Sequence, residues 1–202
     1  MFETPTDCYD KPVLTLSSLL AQLPGVPLHL ARVAPTAVGY PISSALRERI
    51  MLAVTAVNRC FYCRVAHTTF GRSAGLSDLE IESILQGADP DGDPGEELAV
   101  SYARDLARRG FASRDEALYA RLADHFSPAE QAAIDSSARV INLANRFGNT
   151  FDAARERLAG RCEQTEADGM DMTLLSGLFV TGAALVAPLV GALMLAHKVT
   201  GR

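Results

Sequence analysis

Two thiols and an imidazole stand within eight residues of this chain: Cys60, Cys63 three positions on, and His67 four positions further. Steps of three and four both return to nearly the same side of a helix, so on one helix the two sulfurs and the ring share a narrow sector. Cysteine reacts as thiolate, and a helix N-terminus and a protonated histidine both favour that anion. When a peroxide oxidises one thiolate to a sulfenic acid, a neighbouring thiol condenses with it to a disulfide and shields it from further oxidation. Glu48, twelve positions before Cys60, supplies a carboxylate that could orient His67 and exchange its proton, a relay from carboxylate through imidazole to sulfur. The position of His67 one turn after Cys63 favours Cys63 as the activated sulfur; Cys60, nearer the helix start, has the dipole on its side. Cys60, Cys63, His67 and either Glu48 or Cys162 are also acceptable zinc donors. Buried thiols can equally serve as small apolar groups with no chemistry. Redox dithiol, zinc-binding structural or interaction module and redox-inactive domain are all open at this level.

The elements that must hold these residues read as helices. Leu46, Ile50, Val54 and Val57 follow helical spacing from Ser44 onward, and Met51, Leu52 and Thr55 make a second line beside Glu48, so this helix is apolar on more than one side. Asn58 reads as an N-cap that restarts a helix at Arg59, placing Cys60 and Cys63 in its first turn and ending it near Ser73 before Gly75. Ser77 to Glu80 is a capping box for a short helix to Gln86, and the Gly, Pro and Asp residues of 87–95 form an exposed loop. Further helices are expected over Glu96 to Arg109, after a box from Ser113 to Glu116, and after Ser127-Pro128-Ala129-Glu130, where proline takes the first helical position. No sustained strand alternation occurs, so the fold class is all-α.

Composition narrows the function. The 202 residues are 48% hydrophobic, ample for a core, and the net charge of -5 without an aromatic-interleaved basic stripe sets nucleic-acid binding aside. Only four cysteines occur, too few for a secreted disulfide scaffold, and the start of the chain has no apolar run to act as a signal peptide, so the expected compartment is the cytoplasm. Cys8 and Cys162 are isolated and read as incidental; His29, His125 and His197 have no nearby nucleophile or ligand partner and read as surface or interface groups.

The domain plan expected is a proline-rich lead-in (1–40) with short helices near 14–23 and 26–33, a helical redox domain (41–160), an acidic linker (161–172) and an apolar helix (173–197). Residues 173–196 carry no charge and are long enough at about 1.5 Å per residue to cross a hydrocarbon core of about 30 Å. A C-terminal membrane anchor is one expectation; a helix buried in an oligomer is the other.

Arg47-Glu48, Asn58-Arg59-Cys60-Phe61-Tyr62-Cys63, Ala66-His67 and Gly75-Leu76-Ser77 together resemble the core of the alkylhydroperoxidase D family, within the carboxymuconolactone decarboxylase-like superfamily. Ile141 to Phe147 resembles the second helical half of these proteins, so the likeness covers about residues 41–154. It implies an alkylhydroperoxidase-D-like helical fold in symmetric homo-oligomers. It further implies a thiol-dependent peroxidase or disulfide oxidoreductase without metal or flavin, taking electrons from a thiol or lipoyl-type donor to a peroxide or a peroxiredoxin disulfide. By position, Cys60 and Cys63 would be the redox pair, His67 the proton shuttle and Glu48 the relay carboxylate, with Tyr62 and Asn58 flanking them. Some members carry a histidine where this chain has Tyr62, so one proton-transfer group is replaced by a phenol.

Overall fold

A computed structural model describes residues 9–88, 93–162, 167 and 169–200, without the side chains of 186, 189, 190, 193, 194 and 196–200. Cys8, the middle of the expected 87–95 loop, part of the expected linker and the His197 side chain therefore lie outside the described residues.

Nine α-helices occur among the described residues, and no strand does. They are α1 (Leu16–Gln22), α2 (Val26–Val33), α3 (Ser44–Asn58), α4 (Phe61–Ser73), α5 (Asp78–Leu85), α6 (Pro94–Arg108), α7 (Glu116–Arg121), α8 (Pro128–Leu158) and α9 (Gly169–Thr200), with short 3₁₀ turns between some of them. The all-α expectation holds. Local chemistry sets the boundaries. Ser43 caps α3 by accepting from the Leu46 amide at 3.0 Å, and Ser127 and Glu130 form the expected reciprocal box at the start of α8. Two caps differ from the sequence reading. Asp93 accepts from the amides of Gly95 and Glu96, so α6 begins at Pro94; and α7 is capped by Asp115, whose carboxylate takes the Leu118 amide at 2.9 Å, not by Ser113. A carboxylate nearer the helix start outcompetes an earlier hydroxyl because it meets the first free amides with full charge.

Helix α3 is the centre of the fold and is buried on two sides, as its double apolar pattern predicts. Ile50, Met51 and Val54 pack with Leu98 and Leu106 of α6 and Ile134 and Ile141 of α8, while Leu52 and Ala53 pack with Leu76, Ile81, Ile84 and Val100. The long α8 is the opposite wall and also carries α2, α4 and α9. The lead-in is tied into this frame. Val13 joins Ala153, Ala167 and Met172 in one cluster, and Leu14 joins Leu19 and Leu175 with Leu143 and Phe147 in another.

The expected membrane span is not supported: among the described residues no helix is long and apolar enough to cross a membrane. The apolar run instead begins docked on the helical body, with Met172 and Leu175 buried, and α9 starts at Gly169 before the uncharged stretch. Cys162, read as incidental, is buried and disulfide-bonded.

Candidate active site

The dithiol sits at a helix start that the sequence placed two residues too early. Asn58 is the last residue of α3, Arg59 turns the chain in the left-handed region (φ 56°), and Cys60 itself is the N-cap of α4. The Cys60 sulfur accepts from the Cys63 amide at 3.4 Å, so the thiol does what a capping hydroxyl would do. Asn58, expected as that cap, is buried instead; its amide donates to Asn142 on α8 at 2.9 Å. Phe61 and Tyr62 follow in the first turn, and α4 carries Cys63 and His67 one turn apart.

The two thiols are free and both are buried, Cys60 to 1% exposure and Cys63 to 8%. Their electrostatics differ in sign. Cys60 is held below the ordinary thiol range, first by the Cys63 S–H donated to it, then by the backbone amides of Cys63 and Tyr62 and by the charge of Lys11, against the opposing effect of burial. Cys63 is pushed up because it donates to Cys60, is buried and faces the Cys60 charge. His67 stands one turn after Cys63, whereas Cys60 has the helix start, where the Cys63 amide meets its sulfur.

Glu48 is fully buried on α3. One of its oxygens accepts from the His67 Nδ1 at 2.7 Å and the other from the Arg47 guanidinium at 2.8 and 2.7 Å. The carboxylate thus fixes the ring through Nδ1, which leaves Nε2 as the nitrogen that can exchange a proton. Beside this pair lies a cavity of about 500 Å³ lined by Val33, Met51, His67, Phe70 and Ser73 among others. Arg47, quoted only as part of a motif, is what makes a buried charge at position 48 tolerable.

The sequence reading missed the groups around Cys60. Asn149 of α8 donates to the carbonyls of Asn58 at 2.8 Å and Pro12 at 3.0 Å, joining the turn before Cys60 to the lead-in. Tyr9 and Lys11 of the lead-in bond Asp152, at 3.1 and 2.7 Å. Asn142, Asn145 and Asn149 recur on one side of α8, and asparagines repeating at three and four residues along a buried helical face are the signal that could have been read. Tyr62, expected as a flanking group, packs on Phe151 and Phe179 and accepts from Arg155 at 3.1 Å. Among the described residues no three His, Cys, Asp or Glu side chains are grouped so as to hold a metal ion, so the zinc alternative finds no ligand set there. His29 bonds Ser136 at 3.1 Å and His125 packs on Phe126, both away from the dithiol.

Comparison with known proteins places this arrangement. Residues 30–105 match the model of the carboxymuconolactone decarboxylase family. A search of curated proteins found no match. Among solved structures, the chain is similar to an alkylhydroperoxidase AhpD core, an uncharacterized peroxidase-related protein from Ralstonia eutropha, with 22% identity, 66% of this chain and 71% of that one covered, and a TM-score of 0.52. The matched segment contains Glu48, Cys60, Cys63 and His67, and the fold is similar to that of the AhpD core.

Proposed function

We propose that this chain is a thiol-dependent peroxidase in which Cys60 is the attacking thiolate, Cys63 the resolving thiol and Glu48–His67 the proton relay. One observation carries the reading: a sulfur at a helix N-terminus takes a hydrogen bond from the backbone amide of its partner cysteine, on the same helix as a histidine held by a buried carboxylate. The Cys60 thiolate attacks one peroxide oxygen, the O–O bond breaks, and the alcohol or water leaves with a proton supplied through His67, which Glu48 steadies as imidazolium. Cys60 is left as a sulfenic acid. The Cys63 sulfur attacks it, the S–OH bond breaks, water leaves and a Cys60–Cys63 disulfide remains. The two thiols have then given two electrons to the peroxide, and a reduced thiol or lipoyl-type dithiol returns them by exchange. A peroxiredoxin disulfide is an alternative electron acceptor, and self-association into a homo-oligomer accompanies this reading.

Reduced protein treated with one equivalent of hydrogen peroxide, quenched by alkylation and mapped by mass spectrometry, is expected to yield the Cys60–Cys63 disulfide. His67→Ala and Glu48→Gln should slow it by about 10²-fold, as loss of general acid–base assistance does. Unoxidised thiols after that treatment, or equal rates in the two relay variants and the parent, would overturn the proposal.

A further inference from the structure

Three aromatic rings cluster beside the Cys60 sulfur, and one of them comes from the apolar C-terminal helix. Phe179 of α9 stacks on Phe151 of α8 at 5.2 Å between centroids and lies 5.2 Å from Tyr62, which meets Phe151 edge-on at 5.6 Å. Gly148, buried on α8, marks where this group meets the thiol. A Cβ there would stand 2.7 Å from the Cys60 sulfur, 3.4 Å from Phe179 and 3.5 Å from Tyr62. The sulfur thus occupies the space that any side chain at 148 would take, with Phe179 and Tyr62 as its neighbours, and it is 1% exposed although all three rings are only half-buried.

We propose that Phe179, with Tyr62 and Phe151, is a specificity-determining cover that admits compact oxidants to Cys60 and holds back bulky ones, and that Gly148 is required for the sulfur to sit beneath it. The selection of oxidant rests on the peroxidase reading; the cover itself does not. Phe179 is placed by the turn before it, since Leu175, four residues earlier on the same face, is fully buried and fixes α9 against the lead-in and α8. Tyr62 is placed by Arg155, which donates to its hydroxyl. Gly148, Phe151 and Phe179 all lie beyond the matched residues 30–105.

The test is site-resolved alkylation of reduced full-length protein with a small reagent, iodoacetamide, and a bulky one, pyrenyl maleimide. The ratio of bulky to small rates at Cys60 should rise about tenfold in Phe179→Ala, since thiol reactivity follows access as well as ionisation, and Phe179→Trp should hold it at or below the parent value. A general loosening of the fold would raise the ratio in both variants. Phe179→Leu, gentler on packing, should give an intermediate rise and serves if the alanine variant does not keep its helical circular dichroism. Gly148→Ala should displace the Cys60 sulfur and change its alkylation rate with iodoacetamide. A second arm compares tert-butyl hydroperoxide with hydrogen peroxide, where the same ratio should rise in Phe179→Ala. Failure of every variant to react with peroxide would sink the peroxidase reading, whereas a bulky-to-small alkylation ratio unchanged in Phe179→Ala and Phe179→Leu would overturn the cover.

Discussion

At the scale of the residue, two sulfurs in one turn are made unequal, first by the S–H that Cys63 donates to Cys60 and then by the amides at the N-cap. The depressed Cys60 thiol ionises at lower pH than a free one, so its alkylation rate should climb with pH and level off at a midpoint below the usual value of about 8.5. In Cys63→Ala the largest contribution, the donated S–H, is gone, and the midpoint should move upward; stopped-flow alkylation from pH 5 to 10 reads both, and an unmoved midpoint would mean that the amides alone set it. The relay carboxylate invites a different measurement. Arg47→Ala leaves Glu48 buried without its guanidinium and should cost about 3 kcal/mol in urea unfolding, as removal of one partner of a buried pair does. Glu48→Gln, which removes the charge with the relay, should cost less stability yet slow disulfide formation more.

At the scale of the element, the turn from α3 into α4 is held from outside itself. Asn149 spans from α8 to the last carbonyl of α3 and to Pro12, and Arg59, one residue on, pairs with Asp10 at 2.8 Å. Asn149→Ala leaves two carbonyls short of a donor and should destabilise by about 1–3 kcal/mol. Its amide exchange should quicken at 13–16 and 60–63 together; quickening at one segment alone would show that the two are not joined through this side chain. The helices around this turn were legible because α3, α6 and α8 carry strong apolar periodicity and clear caps such as Ser43 and Ser127. The turn was less so. Asn58 and Cys60 are two residues apart and both can accept at a helix start, and only the left-handed Arg59 decides between them, a conformation that an arginine does not advertise. Glu48, Cys60, Cys63 and His67 were all readable as a set because their spacing is local. Gly148, Asn149 and Phe179 were not, because what gives each its meaning is a contact with a residue more than eighty positions away.

At the scale of the whole molecule, the two ends of the chain are parts of one structure, which hydropathy alone divides into a lead-in, a domain and an apolar tail. The Leu16 amide donates to Asp171 at 2.7 Å, Leu14 exchanges hydrogen bonds with Thr150 through its amide and carbonyl, and Leu14, Leu19 and Leu175 bury one another over α8. The uncharged run of α9 is therefore apolar for two reasons along its length: its first turns complete a core, whereas Leu174, Leu178, Val180 and Leu185 are exposed. A sequence window averages over both and reports only a long apolar helix. If the ends are joined, their energies should not add. Leu175→Ala and Leu14→Ala, each fully buried in the parent, should each cost about 2–5 kcal/mol. Because the two share one cluster, the double variant should fall short of the sum by about 1 kcal/mol, the coupling expected of residues in contact. Leu175→Ala should also raise the bulky-to-small alkylation ratio at Cys60, since it loosens the turn that carries Phe179. Additive stability losses, with that ratio unchanged, would show that α9 rests on the body without being part of it, and that the cover over the dithiol owes nothing to the ends of the chain.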